Sequence, residues 1–167
     1  AIKTNKGAYE LYKKAGFMIV RELDYFKTGV SALRYNKLVN KPDFNFNVIE
    51  EPDWSEFKSF WEFDPSWQNS IDCMRRKVEH LKILGLYHKY NLIGYGIIEM
   101  HTGDIPQLAI SPQYRRQGLG TSLFRVLINY SEVDSLRIIN SDNNYAPFRE
   151  FMKSMGIEAG EGEYEMI

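Results

Sequence analysis

Between Pro112 and Leu123 the chain places two arginines and two glycines in the order Arg115-Arg116-Gln117-Gly118-Leu119-Gly120. That pattern can hold an anion, and a phosphate in particular. The first amide N–H groups of a helix lack a partner within the helix and carry a partial positive charge. Glycines let the backbone close on a ligand without side-chain obstruction, and arginines add charge-assisted hydrogen bonds to phosphate oxygens. Two other phosphate loops do not fit. A Walker loop ends in Gly-Lys-Ser/Thr, whereas Gly120 is followed by Thr121. The dinucleotide fingerprint needs a further glycine where Leu123 stands. The rival reading of Arg115 and Arg116 is a pair of solvated surface residues.

An anion-binding loop needs a strand to deliver it and a helix to follow it. Ile105 to Ile110 reads as a short apolar strand that Pro112 stops. From about Gly118 to Tyr130, apolar Leu119, Leu123, Val126, Leu127 and Tyr130 fall at helical spacing. Leu136 to Asn140 is a second short strand. Pro147 suits the first turn of another helix, which ends near Gly156, and Gly162 to Ile167 is a closing strand. Upstream, Phe44 to Glu50 alternates as a half-buried strand does, and Trp54 to Trp61 and Ile71 to His80 look helical. Leu81 to His88 and Leu92 to Met100 form a hairpin across Lys89-Tyr90-Asn91. The order predicts an α/β fold with a mixed sheet.

The first 28 residues repeat the end of this plan. Asn5 to Gly16 is a helix with Ala8, Leu11, Tyr12 and Ala15 along one side, and Phe17 to Phe26 is a strand.

Composition excludes several classes. The 167 residues are 44% hydrophobic and 26% charged, the range of a globular chain. A formal net charge of -1, from 21 basic and 22 acidic residues, lacks the basic excess of a nucleic-acid binder. No apolar run is long enough to span a bilayer, and the start lacks a signal-peptide layout, so no membrane partner and a cytoplasmic location are expected. The single cysteine, Cys73, excludes an intramolecular disulfide and a multi-cysteine metal site, and reads as a small core residue. His80, His88 and His101 show no metal-ligand spacing, so no metal is expected.

The run from Gly103 to Gly120 resembles the acetyl-CoA-binding core of the GNAT N-acetyltransferases, and the likeness extends over Phe44 to Ile167. Asn5, Ala8, Leu11, Tyr12, Lys14, Gly16 and Phe17 also match the family's N-x-x-A-x-x-L-Y-x-K-x-G-F helix, which lies near the end of a domain. The resemblance implies the GNAT acyl-CoA N-acyltransferase fold, a mixed, mostly antiparallel sheet flanked by helices. It also implies three parts: residues 1–28 as the helix-strand tail of a preceding GNAT domain, 29–43 as linker, and 44–167 as the acetyltransferase domain. The chain would then be a piece of a tandem protein, as its start at Ala1 also suggests.

Residue by residue, the resemblance implies that the pantetheine arm of acetyl-CoA lies along Leu108-Ala109-Ile110, in a gap between that strand and Leu136–Asn140. The pyrophosphate would sit on the amides of Gln117, Gly118, Leu119, Gly120 and Thr121, beside Arg115 and Arg116. Asn144 resembles the family's asparagine beside the cofactor; a plain helix cap is the other reading. The acetyl group passes directly to an amine of a small molecule or peptide, which needs a proton acceptor. Glu99 is the candidate base, against a solvent-facing strand residue. The family's usual acid, a tyrosine four residues before the closing glycine, is Tyr12 in the first repeat but Met152 in the second. Tyr145 is the candidate substitute, against a packing role. Trp67, Gln68 and Asn69 would border the acceptor pocket. The aromatic cluster from Trp54 to Trp67 otherwise reads as packing on the sheet. The alternative function is a CoA-binding domain of little catalysis with a structural or regulatory role in a tandem protein. A homodimer is slightly favoured over a monomer.

Overall fold

The computed structural model describes residues 1–34 and 43–167; residues 35–42 of the expected linker lie outside the described residues. Seven strands form one sheet in the order β2-β3-β4-β5-β6-β1-β7, where β1 is Ile19–Gly29, β2 Phe44–Val48, β3 Leu81–His88, β4 Asn91–Glu99, β5 Asp104–Ile110, β6 Ser135–Asp142 and β7 Glu163–Met166. All neighbours are antiparallel except β5 and β6. The expected mixed sheet is present.

Alternation along the strands divides the core between the two faces. Leu84 and Leu86 of β3, with Leu136 and Ile138 of β6, pack under the helix α4, Leu119–Leu127, and the helix α5, Ala146–Ser154. α4 sits close because Gly96 of β4 faces it: a Cβ there would come 2.8 Å from Leu127 Cδ2. On the other face Leu81, Ile83, Tyr95 and Ile97 meet the short helices α2, Trp54–Lys58, and α3, Ile71–Arg76. Tyr95 stacks on Phe57 with ring centroids 3.8 Å apart.

Several elements are shorter than their periodicity predicts. α2 stops at Lys58 and α3 at Arg76, followed by a turn of 3₁₀ helix at Val78–His80. Both are capped cleanly at the start, by the side chains of Asp53 and Ser70, so the shortening falls at their ends. α4 gives way to a 3₁₀ turn over Ile128–Tyr130.

The amino-terminal segment is built into the same sheet. The helix α1, Lys6–Lys14, and β1 form where the repeat places them, but β1 is an inner strand. It pairs with β6 from Leu23 to Gly29 and with β7 from Ile19 to Leu23. Leu23 and Phe26 are core residues, Phe26 at 1% exposure. The apolar side of the segment divides: Leu23 and Phe26 of the strand are buried, whereas Leu11, Tyr12, Phe17, Ile19 and Val20 remain exposed, Leu11 at 64%. α1 ends on Gly16 at φ 97°, and its first residues pack no core side chain, so only the strand contributes to the shared core.

Among the described residues no helix is long and apolar enough to cross a membrane, and no group of three or more His, Cys, Asp or Glu could hold a metal ion.

Candidate functional site

The site begins where the sheet opens. β5 and β6 run parallel and share one paired position, Asp104 with Arg137, held by a bidentate ion pair with bonds of 2.6 and 2.9 Å. Beyond it the strands diverge, leaving Leu108, Ala109 and Ile110 with a strand partner only on the β4 side. A cavity of about 480 Å³ fills the gap, a size that suits a small-molecule ligand.

The 112–120 segment closes one end. A 3₁₀ turn at Pro112–Tyr114 ends β5, and Arg116 and Gly118 take positive φ of 61° and 79°. Gly118 is the N-cap of α4 and, having no side chain, leaves the first amides of the helix uncapped. Arg115, Arg116, Gly118, Gly120 and Thr121 line the cavity with Leu108, Ala109 and Ile110. Gln117 bonds back to the Gln113 carbonyl and does not line it. The Leu119 side chain belongs to the core, so only its backbone could serve a ligand.

The two arginines do different things. Arg115 Nε donates to the Ile110 carbonyl at 2.7 Å and Nη2 to the Phe60 carbonyl at 2.9 Å. Its Nη1 pairs with Glu62 and lies 3.3 Å from Tyr145 Oη. It therefore ties the loop after β5 to the segment after α2 and serves as a strut across the cavity mouth. Arg116 has no hydrogen bond or ion pair with the described residues and lines the cavity, so it is the arginine free to meet a phosphate. If the loop holds CoA as the resemblance implies, Arg116→Ala should weaken that binding at least about tenfold, the loss of one charge-assisted bond worth ~1.5–3 kcal/mol, with the Tm of the free protein unchanged. Calorimetric titration with CoA beside a melting curve checks both halves.

At the opposite wall, α5 presents Phe148 and Phe151, and its N-cap Tyr145 lines the cavity beside Arg115. Two sequence expectations are corrected here. Asn144 is not the cap: Tyr145 occupies that position, without a capping side-chain bond, and Asn144 does not line the cavity. Instead the Asn144 amide donates to Asp142 Oδ1 at 2.8 Å. Met152, which stands relative to Gly156 as Tyr12 does to Gly16, is 0% exposed in the core and reaches no cavity. Position in the helix fixes its direction, and this direction is into the sheet.

Glu99 ends β4 in an ion pair with Lys77 at 2.7 Å and lines neither cavity described here. The expected base is thus not brought to the site. Sequence reading missed the polar chain that is. Trp61 Nε1 donates to Tyr95 Oη at 2.6 Å, and Tyr95 Oη donates to Gln107 Oε1 at 2.7 Å. Gln107 Nε2 donates to the Asn69 carbonyl at 2.6 Å, and Asn69 Nδ2 to the Ile139 carbonyl at 2.8 Å. Burial pushes the Tyr95 phenol far above the usual tyrosine range, the Trp61 bond opposing this in part, so Tyr95 stays protonated and structural. The alternation of β4, with Tyr95 among apolar neighbours, was the only available signal.

Trp67, Gln68 and Asn69 line a second, shallower cavity of about 400 Å³ with Cys73, Arg76 and Lys77. Asn69, Pro106 and Ile139 line both cavities and form the partition between them.

A family model described as the acetyltransferase (GNAT) family matches residues 46–156. No curated protein matches the sequence. Among solved structures, a conserved protein of unknown function from Staphylococcus epidermidis superposes with TM-score 0.67 at 16% identity, over 98% of this chain and 67% of that one. A GCN5-related N-acetyltransferase from Kribbella flavida gives 0.65 at 11%, over 96% and 63%. A tandem GNAT protein from the clavulanic acid biosynthesis pathway gives 0.65 at 16%, over 98% and 58%. The chain thus spans roughly two thirds or less of these structures, and at such identities the likeness is one of fold.

Proposed function

The chain belongs to the GNAT acetyltransferase family, and from that premise we propose that it moves an acetyl group from acetyl-CoA directly to an amine of a small molecule or peptide. One observation carries the proposal: the gap between β5 and β6 and the uncapped start of α4 open on one continuous cavity. The residues present fit CoA. Arg116 and the amides of Gly118, Leu119, Gly120 and Thr121 would hold the pyrophosphate, and the free edge of Leu108-Ala109-Ile110 would hold the pantetheine amides. Bound CoA would supply the thioester. The amine nitrogen bonds to the acyl carbon, the carbon–sulfur bond breaks with its pair on sulfur, and one amine proton ends on the thiol.

We assign that task to Tyr145, a hydroxyl in the cavity lining with Arg115 beside it to stabilise any negative charge it acquires. Tyr145→Phe is expected to lower kcat about tenfold or more, with CoA affinity within a few-fold, read by following free thiol release. Met152→Tyr should not raise the rate. It puts a phenol into a filled apolar core and should lower stability by ~1–3 kcal/mol, read from melting curves.

The proposal is tested by incubating the protein with acetyl-CoA and a panel of amines and measuring CoA release. A rise in Tm with CoA but no release from any amine would support the second reading, a CoA-binding domain of little catalysis. That reading draws on Met152, which stands where the family's usual tyrosine is expected and is buried in the core.

For residues 1–28 we propose the tail of a preceding GNAT domain, on the strength of the repeated helix-strand motif and the likeness to a tandem GNAT protein. The exposed side at Leu11, Tyr12 and Phe17 is where that domain would pack. A homodimer through the same face is the alternative, told apart by the mass in solution of the 167-residue chain.

A further inference from the structure

After α2, the wall of the main cavity is a short loop with little backbone bonding of its own. Glu62, Phe63 and Pro65 line the cavity, and residues 62–65 belong to no helix or strand. Among the described residues, one hydrogen bond reaches the backbone of 62–65: Arg21 Nη1 donates to the Asp64 carbonyl at 2.6 Å. Side chains supply the other ties. Glu62 pairs with Arg115, and the Phe63 ring centroid lies 5.5 Å from that of Tyr145. The residues on either side are held separately, Trp61 through its indole on Tyr95 and the Ser66 carbonyl by the Asn69 amide at 2.9 Å.

Arg21 is brought there by the pairing of β1. It stands opposite Glu165 of β7, and its Nε and Nη2 each lie 2.8 Å from Glu165 Oε2. That contact fixes the plane of the guanidinium and leaves Nη1 to reach the loop. Nη1 also lies 3.5 Å from Asp142 Oδ2, while Asp142 Oδ1 accepts from the Asn144 amide. Arg21 thus bridges the loop that bears Phe63 and the turn that leads into Tyr145. The two differ in what else holds them. The turn is also fixed to β1 by the Asn143 amide, which donates to the Glu22 carbonyl at 3.1 Å, and by Asn143 Nδ2, which donates to Asp24 Oδ1 at 2.9 Å. The loop has no second bond to its backbone among the described residues.

Resting on the acetyl-transfer reading, we infer that Arg21 is a positioning residue for the amine. On that reading CoA takes up the start of α4 and the gap between β5 and β6. The compartment left for the amine is the one beside the 62–65 loop, walled by Phe60, Trp61, Phe63 and Tyr145. Arg21 does not line the cavity and touches neither substrate. It holds the Asp64 carbonyl, and through it the Phe63 ring against Tyr145. Without that bond the loop is tied by side chains alone, and the amine compartment loses its fixed width. The consequence falls on amine binding. CoA binding and the chemical step are spared, because the start of α4, the gap and the turn before Tyr145 do not depend on the bond to Asp64.

The test sets Arg21→Gln beside Glu165→Gln in the 167-residue chain, with acetyl-CoA and 2-phenylethylamine, an amine whose ring suits the aromatic wall. Arg21→Gln should raise the KM for the amine about tenfold, the worth of one hydrogen bond from a charged donor, with kcat and CoA affinity within a few-fold of the parent. Glu165→Gln weakens the ion pair between β1 and β7 but leaves Nη1 on Asp64. It should lower the Tm without moving that KM. Arg21→Lys keeps the charge beside Glu165 but lacks the fork that reaches Asp64 at the same time. It should raise the KM as well, and it stands in if Arg21→Gln fails to fold. The contact between the Phe63 and Tyr145 rings, read from nuclear Overhauser cross-peaks in the free protein, needs no turnover. The cross-peaks should weaken severalfold in Arg21→Gln and keep their intensity in Glu165→Gln. An unmoved KM in the folded Arg21 variants, an equal rise in Glu165→Gln, a loss of kcat or CoA affinity as large as the rise in KM, or unmoved cross-peaks would each overturn the inference. If CoA fails to raise the Tm and no amine is turned over, it is the acetyl-transfer reading that falls. The cross-peaks then decide by themselves whether Arg21 holds the loop.

Discussion

Gly120→Glu is expected to abolish the rise in Tm that the proposed binding of CoA would produce and to weaken that binding about a hundredfold or more. Gly120 lies in the first turn of α4 and lines the cavity. A Cβ there would meet Phe151 at 3.7 Å and Ile110 at 3.8 Å, which is ordinary contact, so a small side chain is accommodated without displacing the helix. Gly120→Ala should therefore fold as well as the parent, since alanine favours a helix over glycine by about 1 kcal/mol. The longer glutamate enters the space proposed for the pyrophosphate and sets a carboxylate against its charge, at a helix end whose free amides would otherwise attract it. Calorimetric titration of both variants decides the matter. A glutamate variant that binds CoA like the parent would place the pyrophosphate elsewhere. Gly118 is the less clean choice, because its φ of 79° makes any side chain costly whatever the ligand does.

Removal of residues 1–28 is expected to leave 44–167 without a cooperative unfolding transition. β1 stands between β6 and β7 and, among the described residues, is the sole strand partner of β7. Its loss exposes the facing edge of β6, frees β7 and withdraws Leu23 and Phe26 from the core. A milder change measures the same contact. Phe26→Ala should cost about 3–5 kcal/mol, as expected for a large side chain that packs edge-on against Phe148 and is fully buried. That is a fall in Tm of roughly 10 °C for a chain of this size. A truncated chain that melts cooperatively, or a Phe26→Ala protein that melts within a degree or two of the parent, would show that the strand is an adornment of the sheet.

The same chemistry that makes these changes severe explains which parts of the molecule were legible in sequence. The 112–120 loop was, because anion binding at a helix start depends on backbone amides, glycines and nearby arginines, all consecutive in the chain. The strands and helices around it were, because burial on one face imposes a period that needs no knowledge of the partner. The direction of individual side chains was not. Arg115 and Arg116 are neighbours of one chemical type, yet the first is spent on the Ile110 and Phe60 carbonyls and on Glu62, fifty-three positions away. Spacing from Gly156 identified Met152 as the counterpart of Tyr12, but only the packing of α5 on the sheet decided that it would be core. Glu99 had the right charge and the wrong place, since Lys77 from another element claims it. The unpartnered oxygens of Asn140 and Ser141 are invisible in sequence for the same reason: a missing partner is a property of the surroundings. Local periodicity and backbone chemistry were thus determined by the sequence alone. Which side chains share the cavity, and that β1 completes the sheet from the other end of the chain, were decided by long-range pairing, whose contacts have no local signature.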